Sequence, residues 1–383
     1  MEQSILTEVH RAAGAVLSRD EPPRLLTYGD VPAEYIAAQE GCALFDRTDR
    51  GLLRVSGPEA TAFLHRLLAN AVLGLGPGRG NRNLLLSPKG KVRFDFDLSV
   101  DPEGILLSTP PGQAAELARA LDTYLFAEKV QIAERTAEHA PLEVCGPRTD
   151  EVVRAVVQLE RLPGEVDAGE HRGERETLAS RFAGRSGHFE DAQVMVTALP
   201  VAGSSGLRLD GGPAVAEPLW EALRAAGARP CGHVARESLR VEAGAAEPGV
   251  DVDEQVYPQE ARLERAFSLE KGCYIGQEVV AKIDTYGGLN KRLVALRVAG
   301  DDPVARGARL WREEAGELRD LGLVTSWAYS FALEGGLVLA YVKRRHQAPG
   351  TTFRLGDAAA GPPATIVPLP VRANAVAPTG ELE

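Results

Sequence analysis

Lys271-Gly272-Cys273-Tyr274-Ile275-Gly276-Gln277-Glu278 combines features that a purely structural segment seldom holds together. Gly272 and Gly276 flank Cys273-Tyr274-Ile275. They mark a backbone that bends where a side chain would interfere or where a ligand comes close. Glu278 to Lys282 reads as the first turns of a helix, so Cys273 stands just before a helix N-terminus. Two readings of that cysteine are open. It is a small, half-buried hydrophobe in a tight loop, or a thiol whose thiolate is favoured by the Lys271 ammonium and the helix dipole.

Upstream of the octet, Gly232 to Gly244 reads as a helix with Val234, Leu239 and Val241 apolar and Arg236, Glu237, Arg240 and Glu242 interleaved. Those charges are exposed ion pairs or the lining of a pocket. Downstream, Leu293–Val298, Leu323–Trp327 and Gly336–Val342 are β segments separated by glycine turns, a small all-β module. From about Ala358 the chain turns Ala, Pro and Gly rich and reads as a disordered tail.

The N-terminal part opens with a helix predicted over residues 4–17. Then come a strand at Leu52–Val55, a helix from Pro58 to Asn70 and a strand at Asn83–Leu86. The turn Ser87–Lys91 leads into Val92–Leu98, which alternates strictly. Its polar face, Arg93, Asp95 and Asp97, is solvated or aims a carboxylate into a cleft. A strand at Gly104–Ser108 and a helix over Gln113–Phe126 complete an α+β pattern with an antiparallel sheet. A second such unit starts near Pro141, with strands at 142–146, 194–196 and 206–209 and a helix from Pro218 to Gly227. Residues 160–192 are rich in charge and glycine and read as an exposed insertion.

The chain has 383 residues, enough for two or three domains, and a formal net charge of −11, which argues against general nucleic-acid or membrane-surface binding. The cysteines, Cys42, Cys145, Cys231 and Cys273, form no C-x-x-C and no compact metal set. Sparse cysteines suit a reducing cytosol. No signal-peptide core and no membrane span is found in the sequence. The expectation is a soluble, cytoplasmic protein without a metal site.

The octet resembles the K-G-C-Y-x-G-Q-E signature of the YgfZ family, folate-binding factors for iron–sulfur cluster assembly or repair with the glycine-cleavage T-protein (aminomethyltransferase) fold. Leu219–Leu223, Pro230-Cys231-Gly232, Ala235–Gly244, Pro258 with Glu260, Arg292–Val298, Gly322–Ser326 and the turn Pro88–Val92 resemble the same pattern in order and spacing. The resemblance covers residues 24 to 355, most weakly over 160–200.

It implies an α+β protein, a three-domain ring of two α+β lobes with antiparallel sheets and a C-terminal β-barrel. The implied division is 1–140 and 236–285 for the folate-binding lobe, 141–235 for the second lobe, 286–356 for the barrel and 357–383 for the tail. It further implies that Asp95, Arg236, Arg240, Glu242, Lys271, Gln277 and Glu278 bind tetrahydrofolate. Cys273 would be the reactive group at the channel mouth. Lys271, Lys282, Lys291 and Arg292 would hold the folate's glutamate tail.

Two departures bear on activity. Where T-proteins carry an aspartate pair, this chain has Phe94 and Asp95. Where they supply a glutamate to the pterin, it has Gly203 to Arg208 without an acid. The resemblance therefore implies a tetrahydrofolate-binding accessory factor serving iron–sulfur client or carrier proteins. A folate-dependent one-carbon transferase is the alternative, and a ligand-free scaffold the second alternative.

Overall fold

The computed structural model describes residues 4–160, 162–163, 182–357 and 360–372. Two mixed α/β units and a closed barrel share the chain, in keeping with the α+β class read from the sequence. The first sheet has five antiparallel strands in the spatial order Gly80–Leu86, Val92–Asp101, Gly104–Thr109, Gly51–Ser56 and Gln131–Glu134. Helices Ala60–Leu67 and Ala114–Asp122 cover one face. Phe63, Leu64, Leu117 and Leu121 meet Leu53, Phe94, Phe96 and Leu107 there in one core. Their three- and four-residue spacing is what places those side chains on one stripe.

The second sheet runs Gly184–Phe189, Ala192–Val201, Ser204–Asp210, Leu142–Cys145, Ala43–Asp46 and Arg229–Pro230. All pairs for which the register is given are antiparallel except the last, which is parallel. Trp220, on helix Pro213–Ala225, sits in its core at 1% exposure. The barrel closes through six strands, Lys291–Val298, Gly335–Lys343, Glu317–Ser330, Arg309–Glu314, Thr352–Leu355 and Pro363–Val367, the last pairing back onto the first. Among the described residues no helix is long and apolar enough to cross a membrane.

Four local readings change. The N-terminal helix spans only Thr7–Ala12; Gly14 turns into positive φ and Val16–Leu17 pairs as a strand with Leu25–Thr27. The short run Ala43–Asp46, not read as a strand, pairs with Leu142–Cys145, so the sheets do not divide at residue 140. Four residues carry too little periodicity to be read alone. Gly184–Phe189, inside the segment read as an insertion, is an edge strand that buries Phe189; residues 161 and 164–181 of that segment lie outside the described residues. Pro363–Val367 lies in the stretch read as a tail, yet Ala364 and Ile366 are buried and close the barrel. The alternation there was hidden by flanking Pro and Gly.

The two sheets meet across buried charge. Arg208 of the second sheet donates through Nη2 to Asp97 of the first at 2.8 Å and to Glu143 of its own sheet at 2.7 Å. Arg50 donates to the same Asp97 oxygen at 3.0 Å and, through Nε, to the Ser108 hydroxyl at 3.0 Å. His139 accepts from the Ser108 hydroxyl on Nε2 at 3.2 Å and donates through Nδ1 to Asp210. Burial alone would raise Glu143, but Arg208 and Arg47 outweigh it and hold the carboxyl down at about 2. Asp97 is lowered likewise, burial being outweighed by Arg208 and Arg50.

Both carboxyls are depressed relative to the unfolded chain, so their contribution to stability is full above their unfolded pKa and is lost as pH falls toward the folded value. Arg208→Ala leaves two buried carboxylates short of a partner and is expected to cost about 3–5 kcal/mol at pH 7. Urea unfolding checks it. The wild type is expected to lose stability steeply from about pH 4.5 downward, and the variant to show a flatter profile.

Candidate active site

A cavity of about 590 Å³ lies where the two lobes and the barrel meet. Its polar wall comes from three separate segments. Arg47 and Asp49 follow strand Ala43–Asp46, Arg236 and Glu237 stand on helix His233–Ala243, and Glu247 sits in the turn beyond Gly244. Gly244 takes a left-handed conformation and ends the helix there. The barrel adds Arg306 and Trp327, and the first lobe adds Pro110, Pro111 and Gln113.

Arg236 is the centre of the wall. Its Nη2 stands 3.5 Å from Glu247 and its Nη1 3.6 Å from Glu237, while its Nε is buried without a hydrogen-bond partner. Burial would raise Glu247, but Arg236 and Arg47 hold it well below the usual carboxylate range. Glu237 is lowered for the same reason, with Arg240 the main opponent of burial. Asp49 differs. Burial raises its pKa despite Arg47, and its Oδ1 has no hydrogen-bond partner. His233, also lining the cavity, is pushed down to about 4 by burial and is neutral at pH 7.

The residues read from the sequence separate into three places. Arg236 lines the cavity. Arg240 lies behind the wall at 2% exposure, donating to Glu237, to Asp251 at 2.7 Å and to Ser326 at 2.8 Å. It ties the helix to the barrel. Glu242 is fully buried and accepts from Tyr35 at 2.7 Å, Ser330 at 2.7 Å and the Ala332 amide at 3.0 Å. Asp95 is buried and held by Arg82 in a two-point pair, Nε to Oδ1 at 2.7 Å. The strand face of Asp95 and Asp97 is therefore neither solvated nor a free carboxylate in a cleft. It is turned onto arginines.

Lys271, Cys273, Gln277 and Glu278 lie away from the cavity wall. Lys271 donates to the His65 carbonyl, and His65 Nε2 donates back to the Lys271 carbonyl at 3.0 Å. Burial pushes Lys271 down to about 8, with Cys273 opposing. Gln277 opens helix Gln277–Tyr286, and Glu278 pairs with Lys282 one turn on. Lys291 stacks on Tyr341 and Arg292 pairs with Glu264, so the positive region expected for a glutamate tail is committed elsewhere. The cations that line the cavity are Arg24, Arg47, Arg236 and Arg306. Arg47, Asp49, Glu247, His233 and Trp327 were not singled out from the sequence. The dense run Asp46-Arg47-Thr48-Asp49-Arg50 directly after an apolar strand was the available signal.

The octet has its own structural logic. Gly276 has φ +79°, and a Cβ there would meet the Ser87 carbonyl oxygen at 2.5 Å and Gly90 Cα at 2.9 Å. Gly90, at φ +74°, would meet Val279 at 2.9 Å. The octet and the 87–91 turn thus interlock glycine against glycine. Tyr274 packs in the core shared with the barrel. Cys273 is exposed, while Cys42, Cys145 and Cys231 are buried.

Residues 7–271 match the family model described as the GCVT N-terminal domain, and residues 291–371 match the glycine cleavage T-protein C-terminal barrel domain. The chain belongs to the GCVT family. An aminomethyltransferase of Saccharopolyspora erythraea is 28% identical over 376 residues, covering 96% of this chain and 97% of that protein. One from Rubrobacter xylanophilus is 29% identical over 380 residues, covering 97% and 94%. The crystal structure of the glycine cleavage system aminomethyltransferase T from Bartonella henselae superposes with a TM-score of 0.81 at 23% identity, covering 98% of this chain and 99% of that one. The likeness extends over the whole GCVT architecture, barrel included. The YgfZ branch is not singled out by these matches.

Gly276→Ala is expected to destabilise the protein by about 2–4 kcal/mol, from left-handed backbone strain plus a backbone clash. Thermal or urea unfolding measures it. A loss below about 0.5 kcal/mol would mean the octet does not depend on this interlock.

Proposed function

We propose that the protein binds a reduced folate in the central cavity and acts as a folate-dependent one-carbon transferase of the aminomethyl type. The carrying observation is the buried, unpartnered Nε of Arg236 in a cavity walled by ionised carboxylates. A buried guanidinium N–H without an acceptor is costly unless a ligand supplies one. The relatives, named as aminomethyltransferases over nearly their full lengths, support the same reaction class.

A reduced folate fits the residues present. Arg236 and Arg47 offer donors to its carboxylates and carbonyl groups, and Glu237 and Glu247 offer acceptors to the N–H edge of its pterin. Bound tetrahydrofolate would supply the nitrogens that accept a one-carbon unit, one in its pterin ring and one on the bridge to the aminobenzoyl group. Proton handling falls to this chain's own groups. Phe94 stands where the resemblance expects an acid, and Asp95 is committed to Arg82. Asp49 lines the cavity with a pKa raised by burial and with Arg47 Nε 3.6 Å from its Oδ1, outside hydrogen-bond range, which suits a proton donor to a departing amine. Neutral His233 suits an acceptor.

Calorimetry with tetrahydrofolate tests the binding step. Arg236→Gln is expected to weaken it by about 1–3 kcal/mol. Asp49→Asn is expected to leave binding within about twofold while cutting folate-dependent amine release from an aminomethylated carrier about 10²-fold or more. Absence of saturable heat with the wild type rules out the folate reading. Saturable binding with no one-carbon transfer to the folate from any aminomethyl donor rules out the transferase and leaves a folate-binding factor.

A second reading has one observation of its own. Cys273 is the exposed cysteine in a chain whose other three are buried, and burial pushes Cys42 up to about 11 and Cys145 up to about 12. An accessible thiol beside Lys271 suits an accessory factor for iron–sulfur proteins, contributing one ligand or attacking a client disulfide, with a client thiolate as the leaving group. Alkylation at neutral pH, mapped by mass spectrometry, is expected to modify Cys273 first. Cys273→Ala is expected to abolish support of iron–sulfur enzyme activity in cells lacking the wild type. Full complementation by that variant excludes this reading.

A further inference from the structure

The chain has three tryptophans. Trp220 is locked in the second-sheet core, and Trp311 gives its indole N–H to the Gly356 carbonyl at 2.7 Å. Trp327 has neither role. It lines the central cavity, and its indole nitrogen is buried without a hydrogen-bond partner.

The strand puts it there by a local irregularity. The register of Glu317–Ser330 against Gly335–Lys343 shifts between Val324 and Ser326. A regular strand alternates its side chains between faces, and a bulge re-aims them. Accordingly Thr325, Ser326 and Trp327 all line the cavity in sequence. A Cβ at Gly336 would stand 3.3 Å from the indole nitrogen, so the N–H edge is turned back onto the neighbouring barrel strand. The half-buried ring packs against the barrel core and lines the cavity as well.

A carboxylate of the same cavity wall is linked to the residue before it. Arg240 Nη2 donates to both Ser326 Oγ at 2.8 Å and Glu237 Oε2 at 2.6 Å. Glu237 is thus one shared guanidinium nitrogen away from the residue that precedes Trp327. An apolar aromatic face and an ionised carboxylate lining one cavity match a planar heterocycle that carries two adjacent N–H donors on one edge. Stacking covers the ring and the carboxylate accepts from the edge. Resting on the folate reading above, we propose that Trp327 is the stacking platform for the pterin ring, with Glu237 accepting from the ring's donor edge.

The test titrates the full chain with 5-formyltetrahydrofolate, following heat and tryptophan emission together, with emission corrected for ligand absorption. Two fragments, 6-hydroxymethylpterin and p-aminobenzoylglutamate, are titrated in the same way. Emission is expected to fall with the midpoint seen in the heat, and the pterin fragment alone is expected to quench. Trp327→Phe, which keeps an aromatic face and packing on the barrel core, is expected to bind within about threefold and to lose the quench. Trp327→Ala is expected to weaken binding about tenfold or more, as loss of a stacking partner does. Unchanged unfolding midpoints for the Phe variant keep a folding defect from imitating the result. Saturating heat without any change in emission, or full affinity in Trp327→Ala, overturns the platform and leaves the folate reading standing. Quenching by p-aminobenzoylglutamate but not by the pterin fragment overturns the choice of ring. No saturable heat with any of the three ligands removes the folate reading and the platform with it.

Discussion

Arg208 stands on one sheet and holds a carboxylate of each sheet at once. Through a single nitrogen it joins Asp97 of the first lobe to Glu143 of the second, and Arg50 shares the Asp97 oxygen. The chain of charge continues through Arg47, 3.7 Å from Glu143, to Asp49 on the cavity wall. Isolated buried ion pairs seldom add net stability, because desolvation offsets the attraction. What such a network supplies is geometry. Each guanidinium is a rigid fork, so the spacing of the two sheets is set by where the carboxylates stand. The cavity inherits its shape from that spacing.

The same economy of placement accounts for the octet. Its second glycine is required by a backbone contact with the 87–91 turn, and its tyrosine by the core shared with the barrel. Those two positions explain themselves without a ligand. Lys271 is used to cap the carbonyl of His65, at the end of helix Ala60–Leu67. Cys273 is exposed and is not among the residues that line the cavity. The exposed thiol and the cavity therefore occupy separate places on the molecule.

Inside the cavity the departures from the T-protein pattern shift work between residues. The strand that carries an aspartate pair in T-proteins here offers Phe94 to the core and Asp95 to Arg82. Asp49, Glu237, Glu247 and His233 are among the groups lining the space, each moved from its ordinary pKa by burial set against arginines or by burial alone. The chain belongs to the GCVT family, and relatives matched over nearly their whole length are named aminomethyltransferases.

Much of the fold was legible in the chain by itself. Strict alternation over Val92–Leu98, helical spacing at Phe63, Leu64 and Leu67 and the glycine-bounded β runs after residue 290 each correspond to a real element, because short-range periodicity follows directly from backbone geometry. Ala235–Gly244, inside the matched GCVT segment, carried the family in its spacing, while the YgfZ branch read from the octet is not singled out by the matches. The tertiary structure decided the rest. Ala43–Asp46 and Pro363–Val367 are too short to announce themselves and become strands only because partners far along the chain complete their ladders. Arg236, Arg240 and Glu242 stand within seven residues of one helix, yet one faces the cavity, one braces the barrel and one is sealed in a buried cluster. Sequence spacing sets the direction of a side chain on its helix. What it meets there depends on the elements packed around that helix, and those come from all three units of the fold.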